Sequence, residues 1–189
     1  MRKEKGQYGY RNNIKRMRLV ITLLLAAAIL AQLLARFLTD SQAAKNILTV
    51  MAILTVLPMA NMASPLLASW RYRTPPEGFY QKVQPYEKVC VILYDLILTT
   101  REYVLPMDAI AIHQNGIYAY CTAARLDVTK AESSLNALLA AGRTEMRIRL
   151  FREENGFLRR LKGLKPADLT GEDNTAVEAA VLLLKSLSM

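Results

Sequence analysis

Hydrophobic positions along this chain fall into two long unbroken runs followed by a series of short, patterned ones. Leu19 to Leu38, LVITLLLAAAILAQLLARFL, is interrupted only by Gln32 and Arg36. It matches the ~20 residues that a hydrocarbon core of ~30 Å requires. Ile47 to Trp70 is as long and contains Pro58, Asn61 and Pro65. Arg36 stands within a turn of the first run's end, where a long side chain snorkels to the headgroups. Prolines are tolerated in such helices when neighbours satisfy the freed carbonyls, and Asn61 is read as a hydrogen-bonding partner for the first span. A cleaved signal peptide would have a shorter apolar region followed by a small-residue cleavage motif.

Beyond the Pro75-Pro76 pair the period shortens. Glu77 to Gln84 suggests a short helix ended by Pro85. Lys88 to Thr99, KVCVILYDLILT, is apolar almost throughout, as expected of a strand covered on both faces. Met107 to His113 and Gly116 to Thr122 flank Gln114-Asn115-Gly116, and Asn-Gly between such runs predicts an antiparallel hairpin. Asp127 to Ala141 places Leu135, Leu138 and Leu139 on one helical stripe, with Asp127 or Thr129 as cap and Gly142 just past the end. Glu145 to Phe151 alternates basic and apolar residues, predicting a strand with one wet face. Phe157 to Leu164 reads as a short basic helix and Asn174 to Leu187 as a final one. The order helix, three strands, helix, strand, helix predicts a mixed α/β fold over residues 77–189, behind a transmembrane helical hairpin over 19–70.

Composition sharpens this picture. The chain has 189 residues, 52% hydrophobic and 22% charged, with a net charge of +9, which excludes a disordered or collagen-like protein. Residues 1–18 hold seven cations against Glu4 alone, so most of the excess belongs to a short basic tail. The loop Thr39 to Asn46 between the two runs is nearly neutral, whereas Arg71 and Arg73 follow the second. Cations stay on the cytoplasmic side, so both termini are expected there, with Trp70 and Tyr72 at the inner interface. The tail is expected to lie on anionic lipid. Cys90 and Cys121 have no metal-ligand spacing and read as buried reduced thiols.

Leu105-Pro106-Met107-Asp108-Ala109-Ile110-Ala111-Ile112, followed by Asn115-Gly116-Ile117-Tyr118-Ala119-Tyr120, resembles the nuclease-related domain family of the restriction-endonuclease-like superfamily. The likeness covers roughly residues 77–162. It implies a two-carboxylate metal site in which Asp108 is one ligand. The family's third strand ends in Glu-x-Lys, whereas Cys121-Thr122-Ala123 stands here. Mg²⁺ selects oxygen ligands, so the resemblance implies a nuclease-like fold whose catalysis is lost, with no metal and no cofactor.

Other chemistry is thin. His113, the single histidine, is read as a surface turn residue, and a Cys121–His113 nucleophile pair lacks a third group. Asp95 is a candidate to join Asp108 across the sheet. The remaining functional feature is a basic set, Arg147, Arg149, Arg152, Arg159, Arg160 and Lys162. It suits an acidic protein surface or anionic lipid better than nucleic acid, because residues 71–189 are nearly balanced in charge and lack an interleaved aromatic row. The sequence therefore predicts a multi-pass cell-membrane protein whose cytosolic domain binds or scaffolds a partner, a second protein or another copy of itself. A membrane-tethered metal-dependent nuclease and an accessory subunit of a transport or secretion complex are the alternatives.

Overall fold

The computed structural model describes residues 3–100, 104–123, 127–165 and 172–188; Arg2 of the basic tail lies outside them. The chain divides into two compact units, residues 12–73 and a second unit formed by residues 1–11 together with 74–189.

The first unit is helical. Helix α1 runs Tyr10–Leu38 and α2 Gln42–Ser69, each about 42 Å long at 1.5 Å per residue. Both are long and apolar enough to cross a membrane. Helix α1 starts nine residues before its apolar run because hydropathy marks the greasy part of a helix and not its polar first turns. Pro58 and Pro65 sit inside α2 without ending it. Thr22, Thr49 and Thr55 donate to the carbonyls four residues before them, which absorbs their hydroxyls within each helix. Apart from Val91, Val104 and Leu182, every exposed large apolar residue among those described lies on α1, on α2 or at Trp70. A polar solvent would penalise that surface and a bilayer would not.

The second unit is the mixed α/β fold that the pattern predicts. After α3 (Glu77–Val83) and a 3₁₀ turn (Gln84–Lys88) come β1 (Val91–Thr99), β2 (Val104–His113), β3 (Gly116–Tyr120), α4 (Val128–Ala141), β4 (Ile148–Phe151), α5 (Glu154–Lys162) and α6 (Glu172–Ser186). The sheet order is β1-β2-β3-β4. The first two pairings are antiparallel, and β3 to β4, joined through α4, is parallel. One face packs Leu96, Met107, Ile110 and Ile117 against Leu135 and Leu139 of α4 and Leu184 of α6. The other packs Tyr94, Ala109 and Tyr120 against Phe79 of α3 and Phe157 and Leu161 of α5. Burial on both faces explains why β1 and β2 are nearly continuous in apolarity.

Both sheet edges carry hydrogen-bond partners at several positions, which blunts them as templates for strand addition. On β1, Gly6 O accepts from Tyr94 N at 2.8 Å, and Leu187 O accepts from Thr99 N at 3.3 Å. On β4, the Asn136 side chain substitutes for a neighbouring strand: it accepts from Ile148 N at 2.8 Å and donates to Ile148 O at 3.2 Å. Glu132 Oε1 accepts from Leu150 N.

Residues 3–11 are therefore part of the α/β unit, correcting the expectation of a basic tail reaching to residue 18. Tyr8 stacks on Tyr80 with ring centroids 4.4 Å apart and donates its hydroxyl to Pro75 O. Lys5 donates to Ser188 O at 2.8 Å.

Candidate functional site

The site begins with a fault in the β1–β2 ladder. Side chains alternate faces along a strand, yet Leu93 and Leu96 share one face, as do Met107 and Ile110, with three positions separating each pair. Backbone pairing runs from Val91↔Ile112 to Tyr94↔Ala109, omits the next position and resumes at Leu96↔Met107. The omitted residues are Asp95 and Asp108. Asp95 adopts φ +59°, a left-handed conformation that Asp tolerates better than most residues. Both strands thus step out of phase together, and two carboxylates oppose each other inside the sheet.

Asp95 is 1% exposed and Asp108 2%. The cation that joins them is Arg11, the second residue of α1, itself 2% exposed. Its guanidinium donates from Nη1 to Asp108 Oδ1 at 3.0 Å and from Nη2 to Met107 O at 2.8 Å, with Leu96 O at 3.4 Å. Its Nε lies 3.9 Å from Asp95 Oδ1. Asp108 Oδ2 accepts from Thr122 Oγ1 at 2.6 Å and from Thr122 N at 3.2 Å. Asp95 Oδ2 accepts from Gly9 N at 2.7 Å and Thr74 Oγ1 at 2.8 Å, while its Oδ1 accepts no hydrogen bond among the described residues. Burial pushes the Asp95 carboxyl above its usual range, and Arg11 and these hydrogen bonds only partly oppose that.

Asp95 and Asp108 are brought together as the sequence allowed, but the space they share is taken by a guanidinium. A permanent cation with fixed donors does there what a divalent ion would do by charge. Among the described residues, no group of three His, Cys, Asp or Glu side chains converges to hold a metal. Thr122 serves Asp108 as a donor through both its hydroxyl and its backbone N–H. Arg11, Gly9, Thr74 and Thr122 escaped sequence reasoning. The one available signal was that two aspartates inside apolar strands require a buried counter-charge.

His113 is 4% exposed, correcting the surface-turn expectation. Its Nδ1 accepts from Asn115 N at 3.2 Å and its Nε2 faces Lys165 O at 3.0 Å. A carbonyl can only accept, so Nε2 carries the proton, and the ring pins the hairpin to the segment after α5. Cys121 follows the far end of that hairpin, five positions from the His113↔Gly116 pair, or about 17 Å away at strand rise. The Cys121–His113 pair does not form. Burial raises both thiols, Cys90 to about 11.

Arg147, Arg149, Arg152, Arg159, Arg160 and Lys162 are all exposed. Arg149 is the ladder partner of Tyr118. The Arg160 guanidinium sits 4.5 Å over the Tyr118 ring and donates to its hydroxyl, a cation–π contact that fixes its direction. Arg147 lies two positions before Arg149, just ahead of β4. Arg159 and Lys162 occupy the last turns of α5, where cations also favour the helix dipole. In the helical unit, Arg36 is exposed near the end of α1, and Trp70 is exposed where α2 ends. Pro58 lies within α2. Asn61 is exposed on α2 and makes no hydrogen bond to α1 among the described residues, contrary to its expected role.

Comparison with protein-family models, with curated proteins and with solved structures finds no match to this chain.

Proposed function

We propose that this chain is a multi-pass membrane protein with both termini in the cytoplasm. Its α/β unit is a catalytically silent, nuclease-like module that binds and holds a protein partner at the membrane. Exposed apolar surface on α1 and α2 supports the anchoring, and the crowding of cations ahead of the apolar run of α1 and after α2 supports the orientation. The observation that carries the non-catalytic reading is Arg11, seated among Asp108, Asp95 and two strand carbonyls. A hydrolytic metal site needs carboxylates with open coordination positions, and here the pair already neutralises a guanidinium. The surface left for function is exposed Arg149 and Arg160 beside Tyr118, with exposed Arg147 two positions before Arg149, which complements an acidic partner.

The test is plasmid cleavage by the purified full chain with Mg²⁺ or Mn²⁺. The expected result is a rate equal to that of Asp108→Asn. Metal-dependent cleavage lost in Asp108→Asn would overturn the proposal in favour of a tethered nuclease. Site-specific photo-crosslinking from position 149 in cells tests the binding face. Adducts lost in an Arg147→Glu, Arg160→Glu variant are expected, and adducts of unchanged yield would contradict the assignment.

A further inference from the structure

The helical unit contains a cleft of about 400 Å³ lined by Asn12, Lys15, Arg16, Leu19, Trp70 and Arg73. The first four are spaced i, i+3, i+4 and i+7 on α1, so they form one stripe along a single helix face. Trp70 and Arg73 come from the end of α2 and the residues just after it. Lys15 holds the two segments together, its ammonium donating to Trp70 O at 3.3 Å and to Tyr72 O, which also satisfies carbonyls at a helix C-terminus.

The lining changes character along its length. Asn12, Lys15, Arg16 and Arg73 supply donors and positive charge, whereas Leu19 opens the apolar run of α1 and Trp70 closes that of α2. An indole at such a boundary suits the zone between headgroups and acyl chains. Positive charge is concentrated here: within residues 12–73, Lys15, Arg16, Arg18, Arg71 and Arg73 gather at this end, whereas the other end holds Arg36 and Lys45 together with the single acid, Asp40. A ligand that fits carries a negative group beside an apolar body.

We propose that this cleft is a binding site for the phosphate headgroup of an anionic phospholipid, with Arg16 and Arg73 as the phosphate ligands and Leu19 and Trp70 against the glycerol and upper acyl chain. The assignment rests on α1 and α2 spanning the bilayer. Arginine presents a planar fork of donors matched to phosphate oxygens, and the end of the helix pair supplies both donors from one unit.

Trp70 is the only tryptophan in the chain, so its fluorescence reports on this cleft alone. The full chain is reconstituted with phosphatidylglycerol or phosphatidylcholine brominated high on the acyl chain, and quenching is titrated against mole fraction. Half-quenching is expected at a lower fraction of the anionic lipid. Arg16→Gln and Arg73→Gln each reduce that preference roughly fivefold, the equivalent of one surface cation, while Arg36→Gln at the other end of α1 leaves it unchanged. Equal curves for the two lipids, or a preference insensitive to Arg16→Gln with Arg73→Gln, would overturn the site. Relief of quenching by inorganic phosphate would reassign the cleft to a soluble anion. Absence of quenching by either lipid would instead refute the membrane-spanning reading on which the site rests.

Discussion

Removing Arg11 is the sharpest perturbation of the buried cluster. In Arg11→Ala the Asp108 carboxylate loses its 3.0 Å donor, Met107 O loses its 2.8 Å donor, and Asp95 loses the cation whose Nε lies 3.9 Å from its Oδ1. Breaking a buried pair by deleting one partner costs about 3–5 kcal/mol, because the remaining charge stays buried without compensation. For a unit of this size that corresponds to a fall in Tm of roughly 10–20 °C. Thermal and urea unfolding of the full chain in a mild detergent, followed by near-ultraviolet circular dichroism, measures it. Arg11→Ala combined with Asp95→Asn and Asp108→Asn is expected to recover more than half of the loss, since the stranded charges go with the cation. A single Arg11→Ala loss under about 1 kcal/mol would refute the cluster, as would a triple variant no more stable than the single one.

Other consequences are equally direct. The Asp95 carboxyl is raised by burial, so the folded state holds that proton more tightly than the unfolded chain. Its contribution is present below the ordinary carboxylate value of ~3.9 and is lost as pH rises through the raised value; Asp95→Asn should remove this downward limb from a stability-against-pH curve, and an unchanged slope would contradict it. Asn136→Leu deprives Ile148 N and O of their partners on the outer edge of β4; the expected loss is about 2 kcal/mol with increased self-association, read by chemical unfolding and light scattering. Gly116 has φ +129°, and a Cβ there would lie 3.2 Å from Arg147 O, so Gly116→Ala should cost about 1–3 kcal/mol in the same unfolding assay. With Cys90 raised to about 11 and Cys121 raised as well, iodoacetamide at pH 8 should label neither thiol until denaturant is added.

Much of the α/β order was legible because its signals are local. Asn115-Gly116 marks the hairpin, and Asp127 caps α4 by accepting from Lys130 N, one turn into the helix. The two apolar runs announce α1 and α2 by length alone. What escaped was set by tertiary contact. Arg11 sits in a run of surface-type cations, and nothing near it in sequence says that its side chain enters a sheet formed some 85 to 97 residues later. His113 looks like a loop-mouth residue until Lys165 O is brought against it. The phase shift at Asp95 and Asp108 is hidden because both strands are apolar on both faces, so a slip of one residue leaves the pattern intact. Asn136 reads as a neutral helix position, and only the fold reveals that it completes the sheet edge.

The proposed function stands on two helices crossing the bilayer and leaving the α/β unit in the cytoplasm. Substituted-cysteine labelling of intact cells with a membrane-impermeant maleimide tests this directly, in a Cys90→Ala, Cys121→Ala background with a single cysteine placed either at Ser41 in the connection or at Ser188 near the C-terminus. Labelling at position 41 in intact cells, and at 188 only after permeabilisation and denaturation, is the expected outcome. Position 188 reacting from outside once the chain is unfolded, or 41 protected until the cells are opened, would contradict the arrangement and the function built on it.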